Sequence, residues 1–157
     1  MTKKKKIWII VGSVGLVLLI GGGIFLGIFL KNMSDYRNDV DAIIIEDINF
    51  ADLKDGVYKG SYNVGKNFPA HIYVDVKVTV SSGVVTKIEI LKFDNGSGAT
   101  AEEKERLSKL VVDVVMDTQS LKGFSYTTGA TNGQKTILKA IELALKSPPL
   151  PATGATK

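Results

Sequence analysis

From Ile7 to Leu30 the chain carries no charged residue and no proline. As a helix rising about 1.5 Å per residue, this run would be roughly 36 Å long, enough to cross a hydrocarbon core of about 30 Å with some tilt. A helix also satisfies its own backbone N–H and C=O groups where no water can reach them. Lys3, Lys4, Lys5 and Lys6 precede the run, whereas Lys31 and Arg37 follow it mixed with Asp35, Asp39 and Asp41. The positive-inside rule then leaves residues 1–6 as a basic cytoplasmic tail, makes 7–30 a transmembrane anchor and places the remainder outside the cytoplasm. A cleaved signal peptide competes with this reading, but it calls for an apolar core of about 7 to 15 residues and a small-residue cleavage site. The run here is longer and closes on Phe29-Leu30-Lys31-Asn32-Met33. Gly23 and Gly27 have the G-x-x-x-G spacing at which two such helices can approach closely.

The charge balance places the chain at a lipid surface rather than on a nucleic acid. All 16 acidic residues follow residue 30, where they meet 16 of the 20 lysines and arginines, so the net +4 resides in the four N-terminal lysines. Those lysines suit anionic headgroups, and the rest lacks the clustered basic face of a nucleic-acid binder. The absence of cysteine removes disulfides, thiolate zinc sites and iron–sulfur clusters. His71, the only histidine, lies in the alternating stretch Ala70 to Val78 and reads as a strand side chain rather than a catalytic base. No metal set and no acid–base dyad is visible, so redox chemistry here would need an organic cofactor.

Residues 31–51 read as a polar juxtamembrane linker with one apolar patch, Ala42 to Ile45, expected to form a short helix or stalk. A domain over 52–146 follows. Gly56 to Tyr62 is expected as a short strand, and a turn around 65–69 leads into a strand from His71 to Val80. Ser81-Ser82-Gly83 is expected to turn the chain into a second alternating strand, Val84 to Leu91, giving a β-hairpin. After a loop over Gly96 to Ala99, Thr100 and Glu103 have capping-box spacing. Leu107, Leu110, Val111, Val114 and Val115 then mark one helix face. Thr118 to Thr128 reads as loop or short strand. A last helix from about Asn132 to Lys146 buries Ile137, Ala140, Ile141, Ala144 and Leu145, stopped by Pro148, Pro149 and Pro151. Residues 147–157 read as a disordered tail. The fold class is α+β: an antiparallel sheet packed with two amphipathic helices behind one N-terminal transmembrane helix.

Thr127-Thr128-Gly129-Ala130-Thr131 is a small-residue loop at the start of the last helix, where free N–H groups and the helix dipole favour a phosphate. Thr131 and Gln134 also have capping-box spacing, which needs the same N–H groups.

With that loop on the page, residues 52–146 resemble the FMN-binding domain family found in the C subunit of sodium-pumping NADH:quinone reductase and the G subunit of Rnf-type complexes. Asp55-Gly56-Val57-Tyr58-Lys59-Gly60 resembles the family's D-G-x-Y-x-G opening, and Val80 to Ile88 its strand, glycine turn and strand. Asn95-Gly96-Ser97-Gly98, followed by Ala101-Glu102, is similar to its N-G-x-G…A-E segment; Gln119-Ser120-Leu121 also fits. Thr128-Gly129-Ala130-Thr131 with Ile137 to Leu145 resembles the S/T-G-A-T loop and closing helix. The resemblance implies an FMN cofactor esterified through its phosphate to Thr131 by a separate flavin transferase that uses FAD as donor and releases AMP, with Thr128, Gly129 and Ala130 around it. It implies an electron carrier between redox partner proteins or a quinol-linked complex; the residues themselves offer no set for a substrate reaction, which suits a carrier better than an enzyme in its own right. The family's modification pattern has an aspartate where this chain has Ser125, and often a Ser or Thr pair where it has Gly133-Gln134. Asp94-Asn95-Gly96-Ser97-Gly98-Ala99-Thr100 meets the full pattern in the loop before the first helix, making Thr100 the alternative attachment residue. A third copy, Thr153 to Thr156, overlaps Leu150-Pro151-Ala152-Thr153-Gly154, which looks like a sortase signal without the apolar segment and basic end that normally follow. The alternative function is a binding or assembly module of a membrane redox complex that carries no flavin.

Overall fold

In the computed structural model, residues 3–65, 71–96 and 99–151 are described, with the side chains of residues 3–14 excepted. The element order is α1 (Lys3–Asp41), β1 (Gly56–Val64), β2 (Ile72–Ser81), β3 (Val84–Asp94), α2 (Ala101–Thr118) and α3 (Thr131–Lys146), with a 3-10 turn at Phe50–Asp52. The class is α+β, led by one apolar helix of spanning length whose described apolar stretch touches nothing else in the chain. Residues 66–70, Ser97-Gly98 and residues 152–157 lie outside the described residues. The expected turn around 65–69, part of the Gly96 to Ala99 loop, the Thr153 to Thr156 motif and most of the tail fall there.

The three strands form one antiparallel sheet in the order β1-β2-β3. In β2 the alternation is complete: Ile72, Val74, Val76, Val78 and Val80 are buried while the residues between them are not. Burying each of these β-branched side chains contributes roughly 1.5–3 kcal/mol, which sets the register that pins both neighbours. The β2–β3 connection is a two-residue turn, with Ser81 opposite Val84. Ser82 and Gly83 both have positive φ, 55° and 71°, the geometry whose twist matches the flanking strands. The register slips near Asp75/Val76 and Thr79/Val80, and β3 runs past the expected end at Leu91 to Asp94. That extension carries Phe93 to the helical side of the sheet, where it packs against the core.

Both later helices cover the same face of the sheet, α3 across β1 and β2 and α2 on β3 beside it. A Cβ at Gly60 would come within 2.4 Å of the Ala144 backbone nitrogen, so the missing side chain is what lets α3 lie directly on β1. Ile137, Ala140, Ile141, Ala144 and Leu145 are buried as expected, with Leu138 added. In α2 the expected face is only partly realised: Val111 and Val115 are buried, but Leu110 is 41% exposed. Leu107, Val112 and Met116 pack against the core beside them. His71 lies just ahead of β2 rather than within it, with Nε2 3.7 Å from Asp94 Oδ2.

The largest difference from expectation is in the juxtamembrane segment. The helix does not end at the apolar run; α1 continues unbroken to Asp41. Its last turns dock on the domain through Val40, which joins Ile43 and Val64 in a small buried cluster flanked by Tyr36 and Tyr62. The following segment is fastened to α3 by a buried carboxylate. Glu142 is fully buried and takes hydrogen bonds from Lys139 Nζ at 2.9 Å, Lys146 Nζ at 2.7 Å and the Glu46 N–H at 3.1 Å. Burial alone would raise the Glu142 pKa, but the bonds from Lys146, Lys139 and Glu46 outweigh it and hold the carboxyl below its ordinary range.

Candidate functional site

The Thr127–Thr131 loop enters α3 without a cap of its own. Ala130 is the N-cap residue and has no side-chain acceptor for the first-turn amides. The Thr131–Gln134 capping box suggested by spacing does not form. Gln134 turns inward instead, fully buried, and holds the loop: its Oε1 accepts the Thr127 N–H at 2.8 Å and its Nε2 donates to Thr127 Oγ1 at 3.2 Å. The loop is thereby fixed from below while the amides at the mouth of α3 stay open to a ligand. Gly129 has φ +84°, which lets the backbone turn into the helix, and an added Cβ there would meet nothing within 4 Å. The space above the loop is therefore open. At Gly133 the reason for glycine differs, since a Cβ would fall 2.6 Å from Leu107 Cδ2 and 3.3 Å from Phe93 Cζ.

The alternative residue, Thr100, is the N-cap of α2 and makes the expected capping box. The Glu103 N–H donates to Thr100 Oγ1 at 3.2 Å, and the Thr100 N–H donates to Glu103 Oε2 at 2.8 Å. The Thr100 N–H foremost, and then the Thr100 hydroxyl donating to the same Glu103 Oε2 at 3.2 Å, lower the Glu103 pKa. The Thr100 hydroxyl is thus engaged on both its accepting and donating sides. Among the described residues, Thr131 Oγ1 has one long bond, 3.4 Å to the Thr127 carbonyl.

The two loops, thirty residues apart in sequence, border one cleft. Its volume is about 290 Å³, at the lower end of the range for small-molecule sites. Gly129, Ala130, Asn132 and Gly133 line it from the α3 end and Ala99, Glu103, Lys104 and Arg106 from the α2 end, while Thr100, Thr128 and Thr131 are not in the lining. Phe93, Leu107 and Ile72 contribute the apolar floor, and Tyr36 of α1 closes an end. The Tyr36 hydroxyl accepts a hydrogen bond from Asn132 Nδ2 at 3.1 Å. Sequence reasoning found the small-residue loop and both threonines, but not Tyr36, Asn132, Lys104, Arg106 or the inward Gln134. Tyr36, Val40 and Ile43 do carry helical spacing, the one signal that could have extended α1. Ser125, where the family has aspartate, is exposed in the loop ahead of Thr127. It follows Phe124, whose ring lies 5.4 Å from that of Tyr126.

Uncapped first-turn amides, an unobstructed glycine and the cationic Lys104 and Arg106 favour an anion, and the Glu103 carboxylate lines the same cleft against it. Comparison of the chain with protein-family models, curated proteins and solved structures gave no match.

Proposed function

We propose that this chain is a membrane-anchored, extracytoplasmic electron-transfer protein that carries FMN joined through its phosphate to Thr131 Oγ1. α1 would be its single span, with the lysine tail in the cytoplasm. The observation that carries the reading is the contrast between two hydroxyls, each on a residue next to one that lines the cleft. Thr100 is spent in a capping box, whereas Thr131 stands at an uncapped helix N-terminus with one long hydrogen bond. The ordered resemblance over residues 52–146 points to the same residue.

Bound in the cleft, FMN would supply reversible one- and two-electron transfer. The chain's own residues hold and orient the group. Gly129 and Ala130 leave the backbone open to phosphate oxygens, and the first-turn amides of α3 donate to them. Lys104 and Arg106 would offset the phosphate charge in a lining that also holds the Glu103 carboxylate. Phe93, Ile72 and Tyr36 give a ring apolar surface to lie on. Gln134 keeps the loop in place from beneath. The reading as a carrier passing electrons between redox partner proteins or a quinol-linked complex rests on the resemblance over residues 52–146. Ser125 favours the second reading, a flavin-free assembly module, because the usual aspartate of the modification pattern is missing.

Intact mass and in-gel flavin fluorescence of the full chain, co-produced with a flavin transferase, test the proposal beside Thr131→Ala and Thr100→Ala. One FMN phosphoester, lost in Thr131→Ala and retained in Thr100→Ala, is the expected result. Loss only in Thr100→Ala would move the site but keep the function. A chain that carries no flavin and does not bind added FMN would leave the assembly-module reading.

A further inference from the structure

The contacts made by the chain as it leaves α1 follow one direction along the domain. Tyr36 meets Asn132 at the start of α3, and Asp39 Oδ2 accepts the Gly65 N–H, just past the end of β1, at 3.3 Å. Glu46 meets Glu142 and Lys146 near the end of α3. Ala51 then lies against Gly83 in the β2–β3 turn, where a Cβ at Gly83 would be 3.1 Å from it. The chain therefore reaches the domain at the cleft-bearing end and climbs to the opposite end. Helix α2 agrees: Thr100 starts it beside the cleft, and Gln119 closes it against Val85 at the far end.

Distances turn this order into an orientation. Tyr36 is six residues beyond Leu30 on an unbroken helix, roughly 9 Å of rise. The headgroup layer on each side of a bilayer is about 5–8 Å thick. The β2–β3 turn lies a full strand away, roughly 30 Å further on. We infer that the cleft-bearing end of the domain rests against the headgroup layer of the membrane, with the last turns of α1 serving both as strut and as one wall of the cleft. This rests on the reading of α1 as a span, and it is independent of whether the cleft holds flavin.

Because the chain has no cysteine, single labels can be placed without background. The full chain in liposomes would carry a fluorophore at Glu102→Cys, exposed in the first turn of α2, or at Val84→Cys, 46% exposed at the opposite end. Lipids with a quencher on the headgroup report proximity. Quenching several-fold stronger at residue 102 than at 84 is expected, and a flexible Gly/Ser insert between Met33 and Ser34 should erase the contrast. Equal quenching, or stronger quenching at 84, in protein that resists alkaline extraction would overturn the orientation alone. Protein removed by alkaline extraction would overturn the span and the orientation together, leaving flavin attachment to be judged by mass.

Discussion

Gln134 holds Thr127 twice, accepting its N–H at 2.8 Å and donating to its hydroxyl at 3.2 Å, from a position with no exposure to solvent. A loop at a helix N-terminus is usually secured by a cap that consumes the amides. Here the fastening comes from inside the domain, so the open mouth of α3 and the order of the loop do not compete. Replacing Gln134 by leucine should strand the Thr127 N–H and cost about 1–3 kcal/mol. Urea unfolding of the full chain in detergent measures the loss, and hydrogen exchange should show faster exchange at Thr127.

The two threonines should separate by stability even with no flavin present. Thr100→Ala removes a working cap and should destabilise by about 1 kcal/mol. Thr131→Ala loses one long bond and should stay within about 0.5 kcal/mol of the parent. A large cost at Thr131 would mean that its hydroxyl is structural, which would weaken its assignment as the attachment residue.

Glu142 gives a pH dependence of known sign. Its folded pKa lies below the ordinary value, so the unfolded chain binds the proton more readily. Its contribution is therefore fully present above about pH 4.3, the unfolded glutamate value, and is lost as pH falls through the lower folded value. Glu142→Gln should lose about 1.5–3 kcal/mol at neutral pH, because hydrogen bonds from charged donors become bonds to a neutral amide. It should also show a shallower fall in stability below pH 5 than the parent, read from unfolding curves at stepped pH.

Gly60→Ala tests the closeness of α3 to β1. The new methyl would fall 2.4 Å from the Ala144 nitrogen and 2.7 Å from the Ala140 carbonyl oxygen, both backbone atoms that cannot step aside. A loss of about 3 kcal/mol is expected, at the upper end of the usual cost of overpacking. Gly123→Ala, with open space around it, should show only the smaller cost of its positive φ. Comparable losses at the two positions would argue against the intimate packing.

What could be read from the residues was local and periodic. The alternation from Ile72 to Val80 announces one buried strand face, and Ser82-Gly83 supplies the turn its hairpin needs. Thr100 and Glu103 met the spacing of a capping box and form one. The same spacing at Thr131 and Gln134 misled, because spacing does not say which way a side chain turns, and the apolar packing beneath α3 leaves a buried position that Gln134 fills. The continuation of α1 was masked by composition. Asp35, Arg37, Asn38 and Asp39 make the segment polar, yet no proline or glycine stops the helix, and Tyr36, Val40 and Ile43 find a surface to bury against. The cleft was least legible of all, since the meeting of the Ala99 and Gly129 loops depends on how two helices seat on one sheet.

The chain's last described contact lies far from its entry. Leu150 donates its N–H to the Val57 carbonyl at 2.7 Å, pairing with the start of β1, whereas α1 docks beside that strand's other end. A pull between the membrane and whatever follows Pro151 would thus run lengthwise along β1. After the Leu150–Val57 bond had opened, the load would reach α3 at Lys146 and be carried by its packing across β1 and β2. The domain would then bear tension through the seat of one helix on its sheet.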